Sequence, residues 1–385
     1  MRIVIDARMW NESGIGRYLR NLIGQLQILD KKNDYYLLLL QKDYDVFEFQ
    51  SNFHKVTVDF RWYTINEQIK LPKVLNKIKP DLVHLPHFNV PIFYKGKFVV
   101  TIHDLIHQHF NFQRSTTHDP LTFKLKQFGY KQIFRNAINK SSNILVPSNF
   151  VKDQLMNEWK VNKNKIVTTY EGVDNEVSII GDKISKQKIN KILDKFNIKL
   201  PFTAKQEPSG FIFYVGNAHP HKNIEGLIKS FLILRKNYQY LTLVLSGEDN
   251  YFWQRIRQEY QYKDIIYTGR ISDEELVALY KSAKCFVMPS FEEGFGVPIL
   301  EAFQIGCPVV SSSGGSLKEV GDNAAIYFDP RSTDGIVEKI QMVLNSEEIS
   351  KQLIEKGKER VKQFSWKKLA EQTMEVYQNA GSTST

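Results

Sequence analysis

Short apolar segments alternate with helical ones along almost the whole chain, and they do so in two separate runs. Alternation of this kind marks parallel sheets covered by helices, because each parallel strand needs a crossover segment to bring the chain back to the same edge. In the first run, residues 2–6, 35–40, 56–60, 81–84, 98–102, 143–146 and 166–168 read as strands. In the second, residues 211–215, 241–245, 265–267, 285–288, 308–311 and 325–328 do. The expected fold class is α/β, with two Rossmann-like, doubly wound domains. A length of 385 residues agrees, since a single hydrophobic core rarely grows past roughly 250–300 residues.

Turn formers mark the division. Glu171-Gly-Val-Asp174 and Pro208-Ser-Gly210 bracket a polar insert of helical pattern that carries Lys183, Lys186, Lys188, Lys191, Lys195 and Lys199. The expected organisation is a first domain over 1–172, a linker with a lysine-rich insert over 173–208, and a second domain over 209–364. A last helix over 365–380 completes the chain, and the tail Gly381-Ser-Thr-Ser-Thr385 reads as disordered.

Two cysteines, Cys285 and Cys307, cannot build a disulfide framework, and no long apolar stretch follows Met1. A cytoplasmic setting is the expectation. Apolar runs such as Leu37 to Leu40 are far too short to cross a bilayer. A formal charge of +10 suits nucleic acid, an anionic lipid surface or a diphosphate substrate. No zinc-finger or RNA-binding signature accompanies it, so nucleic acid is set aside. Lys124, Lys126, Lys131, Arg135 and Lys140 line an otherwise apolar helical stretch that would suit peripheral contact with anionic membrane.

Ligands of open parallel sheets bind at the carboxyl ends of the strands, so the strand-to-helix loops are where chemistry is to be sought. The most informative is Pro289-Ser-Phe-Glu-Glu-Gly-Phe-Gly-Val-Pro-Ile-Leu-Glu-Ala-Phe303. Gly294 and Gly296 let backbone amides approach a ligand, and Pro298 fits the first helical position. Glu293 precedes the glycines, and Glu301 is expected in the first turn of the helix. A carboxylate accepts from vicinal hydroxyls, so one glutamate could hold a sugar and the other a ribose. By themselves two glutamates eight apart arise often by chance, and an acid at a helix start commonly serves only to stabilise it.

Here the sequence closely resembles the retaining glycosyltransferases of family 4, whose architecture of two Rossmann-like domains facing across a cleft is called GT-B. The resemblance is carried by Pro289-Ser290, Glu293-Gly-Phe-Gly-Val-Pro-Ile-Leu-Glu301, Gly306-Cys-Pro-Val-Val310, Gly314-Gly315, Glu319 and Gly321-Asp322-Asn-Ala-Ala325. It implies that Glu293 contacts the donor sugar, that the amides of Gly294, Phe295 and Gly296 meet sugar and phosphate, and that Glu301 binds the ribose. It also implies that the nucleotide-diphosphate sugar is a co-substrate, with no cofactor and no metal. Relatives of this type often return their final helix to the first domain.

The loop Val215-Gly-Asn-Ala-His-Pro-His-Lys-Asn223 offers Lys222 as a point charge for the diphosphate. Many relatives carry an arginine directly after the glycine. This chain has Asn217 there and so lacks one expected cation; the change resembles the branch that contains bacterial mannosyltransferases of O-antigen assembly, and GDP-mannose is the favoured donor. In the loop Asp6-Ala-Arg-Met-Trp-Asn-Glu-Ser-Gly-Ile-Gly-Arg-Tyr18, Gly14 and Gly16 would bring amides to the diphosphate. A dinucleotide fingerprint would need a third glycine where Leu19 stands. His103 and Asp104 close the strand at 98–102, where the imidazole could meet a sugar hydroxyl and the carboxylate could orient the ring.

Other motifs are set aside. His84, His87, His103, His107 and His109 have no paired cysteines and no His-Glu-x-x-His spacing, so zinc is not expected. Asp43-Tyr-Asp45 lies in a charged turn, and the ATPase phosphate loop is absent. The reading is thus a retaining hexosyltransferase using front-side attack, acting on a growing glycan or lipid-linked acceptor that enters by the loop at 107–120. Epimerases and phosphorylases of the same fold, transferases using other nucleotide sugars, and a non-catalytic basic binder are the alternatives.

Overall fold

The computed structural model describes residues 1–45, 48–110, 120–199 and 209–382. Most of the expected acceptor loop at 107–120, the side chains of Lys124 and Lys126, Pro208 and the end of the tail lie outside the described residues. Two compact units divide the chain, one of Met1–Glu171 with the segment from Ser365, the other of Gly172–Phe364.

The first unit runs β1 (Arg2–Asp6), α1 (Ser13–Leu29), β2 (Asp34–Leu39), β3 (Phe53–Thr57), α2 (Ile65–Ile78), β4 (Leu82–Leu85), β5 (Phe98–Thr101), α3 (Ile106–His109), α4 (Pro120–Lys140), β6 (Ile144–Val146), α5 (Asn149–Trp159) and β7 (Ile166–Thr168). Its sheet has the order β3-β2-β1-β4-β5-β6-β7 and every pair is parallel. Six of its seven strands lie within about two residues of the sequence reading. The third starts earlier than expected, because Phe53 stacks on Tyr35 at 4.6 Å and pairs with it in register. Val58 and Phe60, which suggested strand by alternation, are buried beyond its end in the core on the other sheet face.

The second unit runs α6 (Asn175–Lys183), α7 (Lys186–Lys195), β8 (Gly210–Val215), α8 (Ile224–Leu234), β9 (Leu241–Ser246), α9 (Tyr251–Glu259), β10 (Ile265–Gly269), α10 (Asp273–Ser282), β11 (Cys285–Met288), α11 (Val297–Ile305), β12 (Val309–Ser312), α12 (Leu317–Gly321), β13 (Ala325–Phe328), α13 (Thr333–Asn345) and α14 (Glu347–Val361). Strand order is β10-β9-β8-β11-β12-β13. That is the 3-2-1-4-5-6 order of the doubly wound fold, with the reversal between β8 and β11. Local chemistry fits the elements. Ser272 and Glu275 form a capping box on α10, and α8 buries Ile224, Leu227, Ile228, Phe231 and Leu234 at helical spacing.

The lysine-rich stretch is more than a linker. Its helices α6 and α7 pack on α10, and α6 also meets α11, through buried Val177, Ile192 and Leu193. The lysines occupy the outer face, where Lys188 and Lys195 pair with Glu274 and Glu275. The last helix, α15 (Trp366–Ser382), belongs to the first unit and packs Leu369, Ala370, Val376 and Tyr377 into the core against α1. Among the described residues no helix is long and apolar enough to cross a membrane.

Candidate active site

In the second unit the two loops at the strand reversal are tied to each other. After β8 the chain turns at Gly216, whose φ of +150° is poorly tolerated by side chains, and the Tyr214 hydroxyl donates to the Asn217 carbonyl at 2.7 Å. Asn223 takes a left-handed conformation and donates to the carbonyls of Pro289 (3.1 Å) and Pro330 (2.8 Å). The Phe291 amide donates to the His221 carbonyl at 2.7 Å. These bonds bring Lys222, from the loop after β8, onto Glu293, from the loop after β11. The Lys222 ammonium lies 2.8 Å from both carboxylate oxygens of Glu293, and the Ser290 hydroxyl donates to Oε1 at 2.5 Å.

Glu293 is 7% exposed, and a buried charge persists only when paired and hydrogen-bonded. Its backbone is held as firmly as its side chain. The amide and hydroxyl of Ser316 both donate to the Glu293 carbonyl at 3.1 Å, and the same hydroxyl lies 2.7 Å from the Phe295 carbonyl. Gly314 and Gly315 make that approach possible. A side chain at Gly315, which has φ +65°, would collide with the Glu293 backbone, and one at Gly314 would collide with the Phe291 carbonyl.

The expected donor-binding residues divide by role. Gly294, Phe295 and Gly296 are buried. The Phe295 ring meets Phe364 edge-on at 5.8 Å, inside the unit. Gly296 precedes α11 at φ +112°. Glu301 lies in the second turn of α11 rather than the first, and it is 2% exposed. The Tyr280 hydroxyl lies 3.1 Å from both Glu301 Oε2 and the Pro298 carbonyl, so α10 holds this carboxylate from behind.

In the first unit, His103 follows β5. Its Nε2 lies 3.0 Å from the Pro86 carbonyl and its Nδ1 3.6 Å from Glu171. The carboxylate that faces the ring is therefore Glu171, not Asp104, whose Oδ1 accepts from the Ile106 amide at 3.0 Å in the turn that leads into α3. Tyr18 packs edge-on against His103 at 5.0 Å. Its hydroxyl continues through Thr101 (3.1 Å) and His84 (2.8 Å) to Tyr377 on α15 (2.6 Å). Gly14 has open space around it, whereas a side chain on Gly16 would collide with the Trp10 carbonyl. The Gly16 amide already donates to the Glu12 carbonyl at 2.9 Å, so this glycine serves helix packing and its amide is not directed to a phosphate.

A family model for glycosyl transferases group 1 matches residues 177–360, and one for glycosyltransferase family 4 matches residues 13–177. Over 280 residues the chain is 31% identical to the O-antigen chain mannosyltransferase B of Escherichia coli, covering 68% of this chain and 69% of that one. The chain belongs to glycosyltransferase family 4. The glycosyltransferase is also 26% identical over 308 residues to the serotype-specific mannosyltransferase WbdA of Escherichia coli, which covers 77% of this chain but 34% of that relative; it spans about a third of that longer protein. The Anabaena HepE structure in complex with UDP and glucose matches with a TM-score of 0.71 at 15% identity, over 98% of this chain and 99% of that one. The two parallel-sheet units are those of the GT-B fold.

The expected site residues of the glycosyltransferase have further neighbours. Ser290 stands three residues before Glu293, inside the motif itself, and its spacing was the available signal. Glu171 and Tyr280 had none, since each meets its partner only through the fold. A further cluster sits at the strand reversal of the first unit, between β1 and β4. The Arg8 guanidinium holds Asp6 at 2.6 Å and Glu67 at 2.5 Å, with all three buried. The Glu67 carboxyl is raised by burial and by the repulsion of Asp6, against the opposing pull of Arg8. Asn89 donates to Glu67 as well. Beside this cluster lies a cavity of about 10 Å³, edged by Trp62 and His87, with room for about one water or hydroxyl group.

Proposed function

We propose that the glycosyltransferase moves a hexosyl group, mannose from GDP-mannose, onto a growing glycan or lipid-linked oligosaccharide of a cell-surface polysaccharide, in the cytoplasm and with retention of anomeric configuration. The names of the curated relatives, an O-antigen chain mannosyltransferase and a serotype-specific mannosyltransferase, support the sugar and the setting. The HepE complex supports a nucleotide-diphosphate donor as a class.

The observation that carries the reading is the Lys222–Glu293 pair, its carboxylate buried, at the strand reversal of the second unit. At rest each charge satisfies the other. A donor diphosphate competes for the Lys222 ammonium, and Glu293 is then released to accept from sugar hydroxyls, held in place by Ser290. Fixed groups that meet charge only as the leaving group departs stabilise the transition state more than the ground state. The departing phosphate oxygen takes the acceptor's proton in a front-side attack, so neither a protein nucleophile nor a divalent metal is needed. The amides of Gly294 and Gly296 add donors for the diphosphate, and Glu301 the ribose contact.

A panel of GDP-, UDP- and ADP-sugars tested by thermal shift, followed by transfer with the best donor, checks this reading. Proton NMR of the product should show the donor's anomeric configuration, and EDTA should leave the rate unchanged. An inverted product, abolition by EDTA, or epimerised sugar without transfer would each sink the corresponding part.

A further inference from the structure

An amide in the first unit keeps a buried acceptor open. Asn89, in the loop after β4, is 5% exposed and lines the cavity beside Arg8 at the strand reversal. Its Nδ2 donates to Glu67, and because a carboxylate only accepts, turning the amide over would set two acceptors against each other. The Oδ1 is thereby fixed, and among the described residues nothing donates to it. A buried polar atom left in this way has its partner in a ligand or a water. Ligands of open parallel sheets are held at the carboxyl ends of the strands, at just such a reversal.

The surroundings of Asn89 suit a neutral hydroxyl and not an anion. The carboxylates of Asp6 and Glu67 share the guanidinium of Arg8, so no positive charge is left over for a phosphate. His87 at the cavity edge is pushed down to about 3 by burial and is neutral. Trp62, half-buried, forms another edge. Next to it Tyr63 holds a left-handed backbone, φ +61°, which a bulky side chain rarely adopts. Its amide donates to Glu67 at 2.9 Å, and its hydroxyl lies 3.2 Å from His87 Nε2. Backbone strain persists where the surroundings over-determine it, and here it sets two aromatic residues beside one polar pocket. An aromatic ring gives the apolar C–H face of a sugar a flat surface. Pro86 also lines the cavity, and its carbonyl lies 3.0 Å from His103 Nε2, so the pocket adjoins the residue expected to meet the donor sugar.

We infer that this pocket is a subsite for the acceptor's terminal sugar, in which one hydroxyl donates to Asn89 Oδ1 while the ring rests against Trp62. The cavity of about 10 Å³ takes one hydroxyl, so the rest of the sugar stays at the aromatic rim. The inference rests on the glycosyltransfer reading and names the part of the acceptor that is read: its uncharged sugar end, and not a phosphate.

Saturation-transfer NMR of the full chain with two neutral probes, mannobiose and cellobiose, tests it. At least one disaccharide should receive saturation from the protein, and inorganic pyrophosphate should not displace it. Asn89→Leu, which keeps the bulk and removes the acceptor atom, and Trp62→Ala should each weaken binding about tenfold, whereas Trp62→Phe should retain most of it. Trp62 is half-buried, so its two variants report even where Asn89→Leu fails to fold. In transfer assays the same losses should appear in the KM for the acceptor and not in that for the donor. Binding that survives both Asn89→Leu and Trp62→Ala, displacement by pyrophosphate, or no saturation of either disaccharide would overturn the inference. The spectra need no turnover, so they test the pocket even where no sugar nucleotide shifts the melting curve, an outcome that counts against the glycosyltransfer reading alone.

Discussion

The ammonium of Lys222 sits 2.8 Å from both carboxylate oxygens of Glu293, across 71 residues of chain. Because the carboxylate is buried, removing only its partner leaves an uncompensated charge. Lys222→Met should therefore destabilise the second unit by roughly 3–5 kcal/mol, and adding Glu293→Gln should recover part of that loss. Urea denaturation of the two variants measures the difference. Both should lose transfer activity by about a hundredfold or more. A double variant no more stable than Lys222→Met would contradict the coupling.

Gly315 and Gly14 should respond in opposite ways. Gly315→Ala puts a methyl group against the Glu293 backbone and asks about 1–2 kcal/mol of left-handed strain besides. The variant should melt earlier and be inactive. Gly14→Ala meets nothing within 4 Å and should fold like wild type; a rise in donor KM there would identify its amide as a ligand contact. Matched melting curves and donor titrations decide both.

Burial pushes the His84 imidazole down to about 3, with a smaller contribution from His103. Two hydroxyls, of Tyr377 and Thr101, satisfy a neutral ring, since each can donate or accept. The unfolded chain takes up this proton near pH 6.5 and the folded one only near 3. Between those values the unfolded state binds more protons, so stability falls as pH drops, by up to about 1.4 kcal/mol per pH unit. His84→Gln should be less stable at pH 7 and yet lose less between pH 7 and pH 5 than wild type. Equal slopes in chemical denaturation would refute the assignment.

Tyr280 reaches Glu301 at 3.1 Å from helix α10. If Glu301 binds the ribose, Tyr280→Phe should raise the donor KM about threefold to tenfold with little change in kcat, the cost of one hydrogen bond. A fall in kcat at unchanged KM would assign the tyrosine to another step.

Much of this was legible along the chain. Parallel sheets, two units and the motif from Pro289 to Glu301 follow from periodicity and from residues close in sequence, because a strand and the loop after it form one local pattern. Ser290 with Glu293, three residues apart, belongs to that category. The insert of α6 and α7 was legible as helix but not as a packed part of the second unit. Its lysines mark a solvated face, while Val177, Ile192 and Leu193, too few to stand out, bury the other. Gly16 falls on the same side, since a glycine that spares a collision with Trp10 and one that admits a phosphate look alike in sequence.

By itself, then, the sequence determined the class of fold, the loops at its strand ends and the chemical character of the residues in them, all of which depend on local spacing. Only the tertiary structure decided that Lys222 would meet Glu293, that Glu171 rather than Asp104 would face His103, and that Tyr377 would reach His84 across 293 residues. Such partners are selected by strand order and by the need to satisfy buried polar groups, and neither is written in any short stretch of chain.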